Sequence, residues 1–286
     1  MSGLIPRRRA LAALVGLAAA PVLGAVTTAG ARAAAVAPGL GAHRIPRGYA
    51  GVDPRTARRV PLWQELSRRN AIFPGDPGFT FQTVATIPAS GYLLEQITSL
   101  GTHTGTHISA PAHFINGAPF LSQLDEGWTL MPLVVIDVRA RVGREGGDFS
   151  LDVSDLRHWE RRHGRIPRNG CVLLLSGFSS HYGPTRGSGQ ADDYFDPAPG
   201  FTAGSVSWLF DRRGIRALGA DTFGPDATSD AEFSATATAL AKGGITVENV
   251  GPGLAAMRPH GDWVSINGAR PHFSGFQMGI TGFTQP

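Results

Sequence analysis

The chain has 286 residues, 42% hydrophobic and 17% charged, which excludes a disordered polar chain and leaves ample length for a buried core. Lysine and arginine total 26 against 22 acidic residues, but four arginines fall within residues 1–33, which contain no acid. The rest is balanced at 22 basic and 22 acidic side chains, so it gives no support for nucleic-acid binding.

Residues 1–35 read as a secretory leader: Arg7, Arg8 and Arg9, then a run of Ala, Leu, Val and Gly, then a cleavage-like Ala31-Arg32-Ala33. The arginine group points to twin-arginine export, and hence to a secreted or cell-envelope protein. An uncleaved anchor is the competing reading; small residues and the cleavage-like site favour removal. Residues 36–60 read as a linker and 61–286 as the domain. No later apolar run reaches the length of a membrane span. Cys171 is the sole cysteine, so no intramolecular disulfide forms.

Along the chain, FPGDPGF (73–79) reads as a turn framed by prolines. The apolar segments 133–142 and 171–178 read as buried strands. Residues 152–164 read as a helix capped by Ser154, with Leu156 and Trp159 on one face. A second helix is predicted over 202–214, from the Thr202 cap to the Gly214 stop, followed by a strand over 215–221. This alternation, with many glycines and prolines, indicates an α/β or α+β domain with helices covering a sheet.

Residues 99–114, SLGTHTGTHISAPAHF, hold three of the nine histidines: His103, His107 and His113. Imidazole is the commonest metal ligand, and three in a short span can converge on one ion. Positions four apart in a straight strand are separated by roughly 13 Å, so His103 and His107 can share an ion only if the chain turns between them, which Gly105 allows. The alternative is a set of hydrogen-bonding histidines in a buried loop.

HTGTHISAPAHF resembles the H-x-G-T-H-x-D-x-P-x-H-F motif of the cyclase family of metal-dependent hydrolases, which includes bacterial kynurenine formamidase. FPGDP, LVVIDV, GRIPRNGCVLLLSGF, PGFTAGSVSWLFDRRGIRALGADTFGPD and VENV follow that family's order, over roughly residues 60–285. The resemblance implies a swivelling β/β/α-type α/β fold with a mixed sheet and flanking helices, a small-molecule substrate and a homo-oligomer. It makes His103 and His107 metal ligands, His113 a proton-transfer residue beside the metal, and Glu248 a metal-binding or catalytic carboxylate.

Two positions depart from the pattern. Ser109 stands where the family has a ligating aspartate, and Thr236 stands twelve residues before Glu248, where it has a histidine. A serine hydroxyl is a poor ligand for zinc or manganese. The expected cofactor is therefore one divalent ion, zinc or manganese, held by His103, His107 and the Ser109 position, or no firmly held ion. His181, His260 or His272 are the remaining histidines that could substitute.

Three functions follow. The first is metal-dependent hydrolysis of a C–N or C–O bond in a small cyclic or aromatic amide, lactam or lactone, with His113 and Glu248 as catalytic groups. The second is a non-hydrolytic cyclisation or isomerisation by acid–base chemistry, and the third is ligand binding without turnover. The two departures, and an exported location, count against kynurenine formamidase activity itself. No G-x-S-x-G nucleophile elbow occurs. Asp221 and Asp226 read as structural turn residues. Trp63, Phe73, Trp128 and Phe276 read equally as pocket walls or core.

Overall fold

The computed structural model describes residues 45–285, with 54, 74 and 180–196 excepted. The expected leader and the first part of the expected linker, 36–44, lie outside the described residues. Residues 45–60 do not act as a spacer. Tyr49 and Ala57 are buried, the Tyr49 hydroxyl donates to the Leu133 carbonyl at 2.7 Å, and Arg58–Pro61 (β1) pairs antiparallel with Gly279–Thr284 (β13). The domain thus takes in residues ahead of position 61.

Thr80–Ala85 (β2) and Leu94–Ser99 (β3) form an antiparallel hairpin of their own, and Ser150–Leu151 (β6) pairs in parallel with Gly200–Phe201 (β8). The other strands are His107–Ser109 (β4), Leu130–Asp137 (β5), Cys171–Leu175 (β7), Ala217–Ala220 (β9), Ile245–Glu248 (β10), His260–Asn267 (β11) and Gly275–Gln277 (β12). Among the described residues they join β1 and β13 in a nine-stranded sheet ordered β1-β13-β11-β5-β7-β9-β10-β4-β12. Strands β5, β7, β9 and β10 run parallel to one another, and antiparallel pairs extend the sheet on both sides.

Both faces of the central strands are buried. Leu133, Val135, Leu173 and Val247 enter one core, while Val134, Ile136, Val172, Leu174 and Leu218 enter another that contains the helices. Strands covered on both sides need continuous apolar runs rather than alternation, which is why LVVID and CVLLL were legible as strands.

Two local expectations change, and one helix appears where none was predicted. The strand predicted over 133–142 ends at Asp137, whose carboxylate accepts from the Arg139 amide and guanidinium as Arg139–Glu145 (α1) turns helical. The helix Val153–His163 (α2) is capped by Asp152 rather than Ser154. The Asp152 carboxylate accepts from both the Ser154 and Asp155 amides and takes the Ser154 hydroxyl as well, at 2.7 Å. Ser234–Ala241 (α4) is a helix whose Ala- and Thr-rich sequence shows little amphipathic pattern, since Ala235, Thr236, Ala239 and Leu240 are all buried.

Ala203–Trp208 (α3) continues into a π-helical turn, Leu209–Arg213. The Thr202 hydroxyl caps it from the Ser205 amide, and Gly214 ends it at φ 64°, as predicted. Together these elements make the α/β arrangement the resemblance implied, a mixed sheet with flanking helices. Among the described residues no helix is long and apolar enough to cross a membrane.

Candidate active site

Strand register assembles the site. In the antiparallel pairing of β4 with β10, Glu248 lies opposite His107 and Thr246 opposite Ser109. In the pairing of β4 with β12, Gln277 lies opposite His107 and Gly275 opposite Ser109. Residues directly opposite share a face, so these side chains all project from one side of the sheet. Ile108, Val247 and Phe276, one position out of phase, belong to the apolar core.

Gly105, at φ 69°, turns the chain so that its carbonyl meets His107 Nδ1 at 2.8 Å. A carbonyl only accepts, so Nδ1 carries the proton and Nε2 points inward. There it lies 3.2 Å from Glu248 Oε2, at ion-pair distance but not aligned as a hydrogen bond, so this buried nitrogen has no hydrogen-bond partner.

Glu248 Oε1 accepts from the Thr246 hydroxyl at 2.6 Å and from the Ser109 hydroxyl at 3.1 Å. With its proton given to Glu248, Ser109 accepts from His103 Nδ1 at 3.2 Å, and His103 Nε2 stands 3.3 Å from the Ser274 hydroxyl. The His103 ring stacks on His113 with centroids 3.9 Å apart and planes 20° from parallel. A side chain at Gly275 would overlap the His103 ring, so only glycine fits beneath it. The Gln277 amide donates to the Gly101 and Thr104 carbonyls at 2.9 and 2.8 Å, pinning the loop that carries His103.

The charges follow from this packing. Burial, reinforced by the neighbouring His107 and His113, lowers His103 to about 3, and burial likewise lowers His113; both rings are neutral near pH 7. Burial alone would depress His107, but the facing Glu248 carboxylate outweighs it and raises that ring. Burial alone would raise Glu248; attraction to His107 and its hydrogen bonds instead hold it down at about 2. The pair is ionic in a dry setting.

Does this donor set fit the ion that the family resemblance implies? Two ligands about 2.1 Å from a tetrahedral zinc stand roughly 3.4 Å apart, close to the His107 Nε2–Glu248 Oε2 separation of 3.2 Å. With its Nε2 proton displaced, that nitrogen and the carboxylate oxygen would form a two-donor bite. A catalytic zinc needs three protein ligands. His103 is instead held between two serine hydroxyls, Ser109 contributes a neutral hydroxyl, and among the described residues no group of three His, Cys, Asp or Glu is placed to hold a metal. The residues present therefore do not fit a firmly held catalytic ion.

Thr236, in the position of the family's histidine, does reach the site. The spot a side chain would take at Gly224 lies within 3.9 Å of the Thr236 hydroxyl, the Asp226 carboxylate and the Glu248 carboxylate. Asp226 accepts from the Thr236 hydroxyl at 2.5 Å and from the Ala235 and Thr236 amides, capping α4, and burial pushes it up to about 6. Asp221 is structural, as expected: it accepts from the Ser176 amide and hydroxyl and the Gly177 amide.

His260 packs against Tyr49, and His272 stacks near Phe120 with a 3.1 Å contact to Ser122, so neither makes up for the lost ligands; His181 lies outside the described residues. Of the four aromatics, Trp128 and Phe276 are core and Trp63 is largely exposed. Phe73 meets Phe233, which meets Phe114, which meets His113, in edge-on contacts of 6.2, 6.3 and 4.9 Å between centroids. Sequence reasoning missed Phe233 and Phe114, since nothing local marks an aromatic as facing a site. It also passed over Asp76 in the FPGDP turn, whose carboxylate lies near Gly101 and feels His107.

Comparison with known proteins agrees with this geometry. Residues 43–227 match the family model described as "Putative cyclase". Kynurenine formamidase of Bacillus cytotoxicus is 28% identical over 191 residues, covering 67% of this chain and 81% of the relative. Isatin hydrolase of Roseibium aggregatum is 30% identical over 132 residues, covering 45% and 49%. The structure of isatin hydrolase A from Ralstonia solanacearum superposes with a TM-score of 0.70 at 25% identity, over 80% of this chain and 92% of that one. With its histidine motif, its strand register and these relatives in agreement, the chain belongs to the cyclase family and is an enzyme of that family's hydrolase type.

Proposed function

We propose that the chain hydrolyses a C–N or C–O bond, in an amide, lactam or lactone, of a small cyclic or aromatic substrate. The observation that carries this reading is the single polar face on which His103, His107, Ser109 and Glu248 meet, with His113 stacked beside them and Phe114 and Phe233 adjoining. A neutral His113 accepts a proton from water as the oxygen adds to the substrate carbonyl carbon. The same ring returns that proton to the departing nitrogen or oxygen as its bond to carbon breaks, leaving an acid and an amine or alcohol. The chain from His103 through Ser109 to Glu248 holds the ring under His113 in one tautomer and one orientation.

The aromatic wall favours a flat ring over an extended chain, and the isatin hydrolase and kynurenine formamidase relatives support an aromatic amide. The incomplete ligand set favours a second reading: a ring closure or isomerisation by the same groups, which consumes no water and needs no activated hydroxide. Turnover in ¹⁸O-labelled water separates the two. Label in the product carboxylate of an aryl formamide, lactam or lactone supports hydrolysis. An unlabelled isomer supports cyclisation, and no turnover across the panel refutes both. Export through residues 1–35 belongs to the same proposal and is tested by the N-terminus of the protein recovered outside the cytoplasm.

A further inference from the structure

A cavity of about 320 Å³ opens at the N-terminal ends of the parallel strands. Arg168 and Asn169 precede β7, Ile215 and Arg216 precede β9, Gly243 and Gly244 precede β10, and all six line it. Glu248 is the last residue of β10 and the cavity meets the first, Ile245, so roughly 10 Å of strand separates them. None of His103, His107, Ser109, His113 or Glu248 lines it. The Phe210 ring fills the place a side chain would take at Gly244, and Ile215, Ile245 and Trp128 extend this apolar lining. Two groups in the wall lack partners. Trp128 is 4% exposed and its indole N–H meets no acceptor, whereas a buried indole ordinarily finds one. Arg168 is exposed and lies across Gly214, with Nη1 3.2 Å from where a side chain there would start. Among the described residues it makes no ion pair or hydrogen bond. The other charges of the lining cancel in pairs, Arg216 with Asp125 and Lys242 with Asp211, each at 2.9 Å. One positive charge is left over.

We propose that this cavity is a binding site for a small aromatic carboxylate, separate from the catalytic centre. Charge selects the anion: a cation would meet a net positive wall, and a neutral ligand would leave Arg168 unpaired. The planar guanidinium offers two parallel N–H groups, which match the two oxygens of a carboxylate. The apolar lining beside Phe210 selects the ring, and size limits the ligand to one ring, since about 320 Å³ is near the low end for ligand sites. Arg168 is exposed and Trp128 buried, so the carboxylate stays at the mouth and the ring points inward. A ring that carries an acceptor oxygen would also satisfy the Trp128 N–H. The proposal is independent of the reaction catalysed.

Calorimetric titration of the full chain with benzoate tests it, at low salt so that the ion pair is little screened. Benzamide, with the ring but no charge, and inorganic phosphate, with charge but no ring, are titrated beside it. Wild type should bind benzoate with Kd below ~1 mM, and the other two at least tenfold more weakly. Arg168→Gln, at an exposed position that spares the core, should raise the benzoate Kd at least tenfold. His113→Ala should leave it within twofold, which separates this site from the catalytic centre. Absence of saturable benzoate binding, or a Kd unchanged in Arg168→Gln, overturns the proposal. So does binding lost in His113→Ala, which would place the ligand at the catalytic centre. Benzamide or phosphate bound as tightly as benzoate also overturns it, because ring and charge would then not be recognised together.

Discussion

Ser109→Asp restores the carboxylate that the family motif carries, and the structure says what this costs. Ser109 is fully buried, with its hydroxyl 3.1 Å from Glu248 Oε1. Two carboxylates at that separation repel by about 5 kcal/mol at an effective dielectric of 20. In a domain of this size 1 kcal/mol is ~2–4 °C in Tm, so the variant in chelator at pH 7 should melt ~10–20 °C below wild type. Protonating one carboxyl relieves the repulsion, so the deficit should shrink at pH 5. A divalent ion reverses it, because the new carboxylate, Glu248 and His107 would then supply the three donors a catalytic site needs. Zinc or manganese at a hundred times its Kd should recover about 2.7 kcal/mol, or ~5–11 °C. Calorimetry of both proteins with EDTA, zinc chloride or manganese chloride, alongside elemental analysis, reads these shifts directly. A wild type that retains one equivalent of metal after gel filtration, or that gains as much stability from metal as the variant, would show that Ser109 does not weaken the ligand set.

Three further outcomes are expected. His113→Ala should lower kcat by ~10²–10⁴ with Tm within a few degrees of wild type, measured on any substrate found. Gly275→Ala drives a methyl group into the His103 ring and should destabilise by ~1–3 kcal/mol in denaturant titration while reducing activity at least tenfold. For Asp226, burial raises the carboxyl to about 6, so its contribution to stability is fully present below about 3.8 and is lost as pH rises through 6. Asp226→Asn keeps an acceptor for the α4 amides and should flatten the stability profile between those values; a profile unchanged by the substitution would contradict the assignment.

Much of the architecture was legible because it rests on local signals. The apolar runs of β5 and β7 announce strands buried on both faces, and Thr202 and Gly214 bracket a helix by the chemistry of its two ends. The same local view stopped short at Asp137, where an aspartate–arginine pairing starts a helix inside an apolar stretch, and it overlooked α4, whose burial comes from neighbours on every side.

At the site, three histidines in eleven residues marked the segment, while it was the resemblance to the cyclase family that added Glu248 and made the serine in place of aspartate a sign of a weakened ligand set. Why they meet is tertiary. His107 and Glu248 lie 141 positions apart and become neighbours only through the β4–β10 register, which decides that His107 faces a carboxylate and that Ser109 links His103 to it. Residue types and spacing are written along the chain, so chemistry carried by a motif can be read there. Register and ring stacking depend on which distant segments fill the space, and that is settled only when the sheet closes around them.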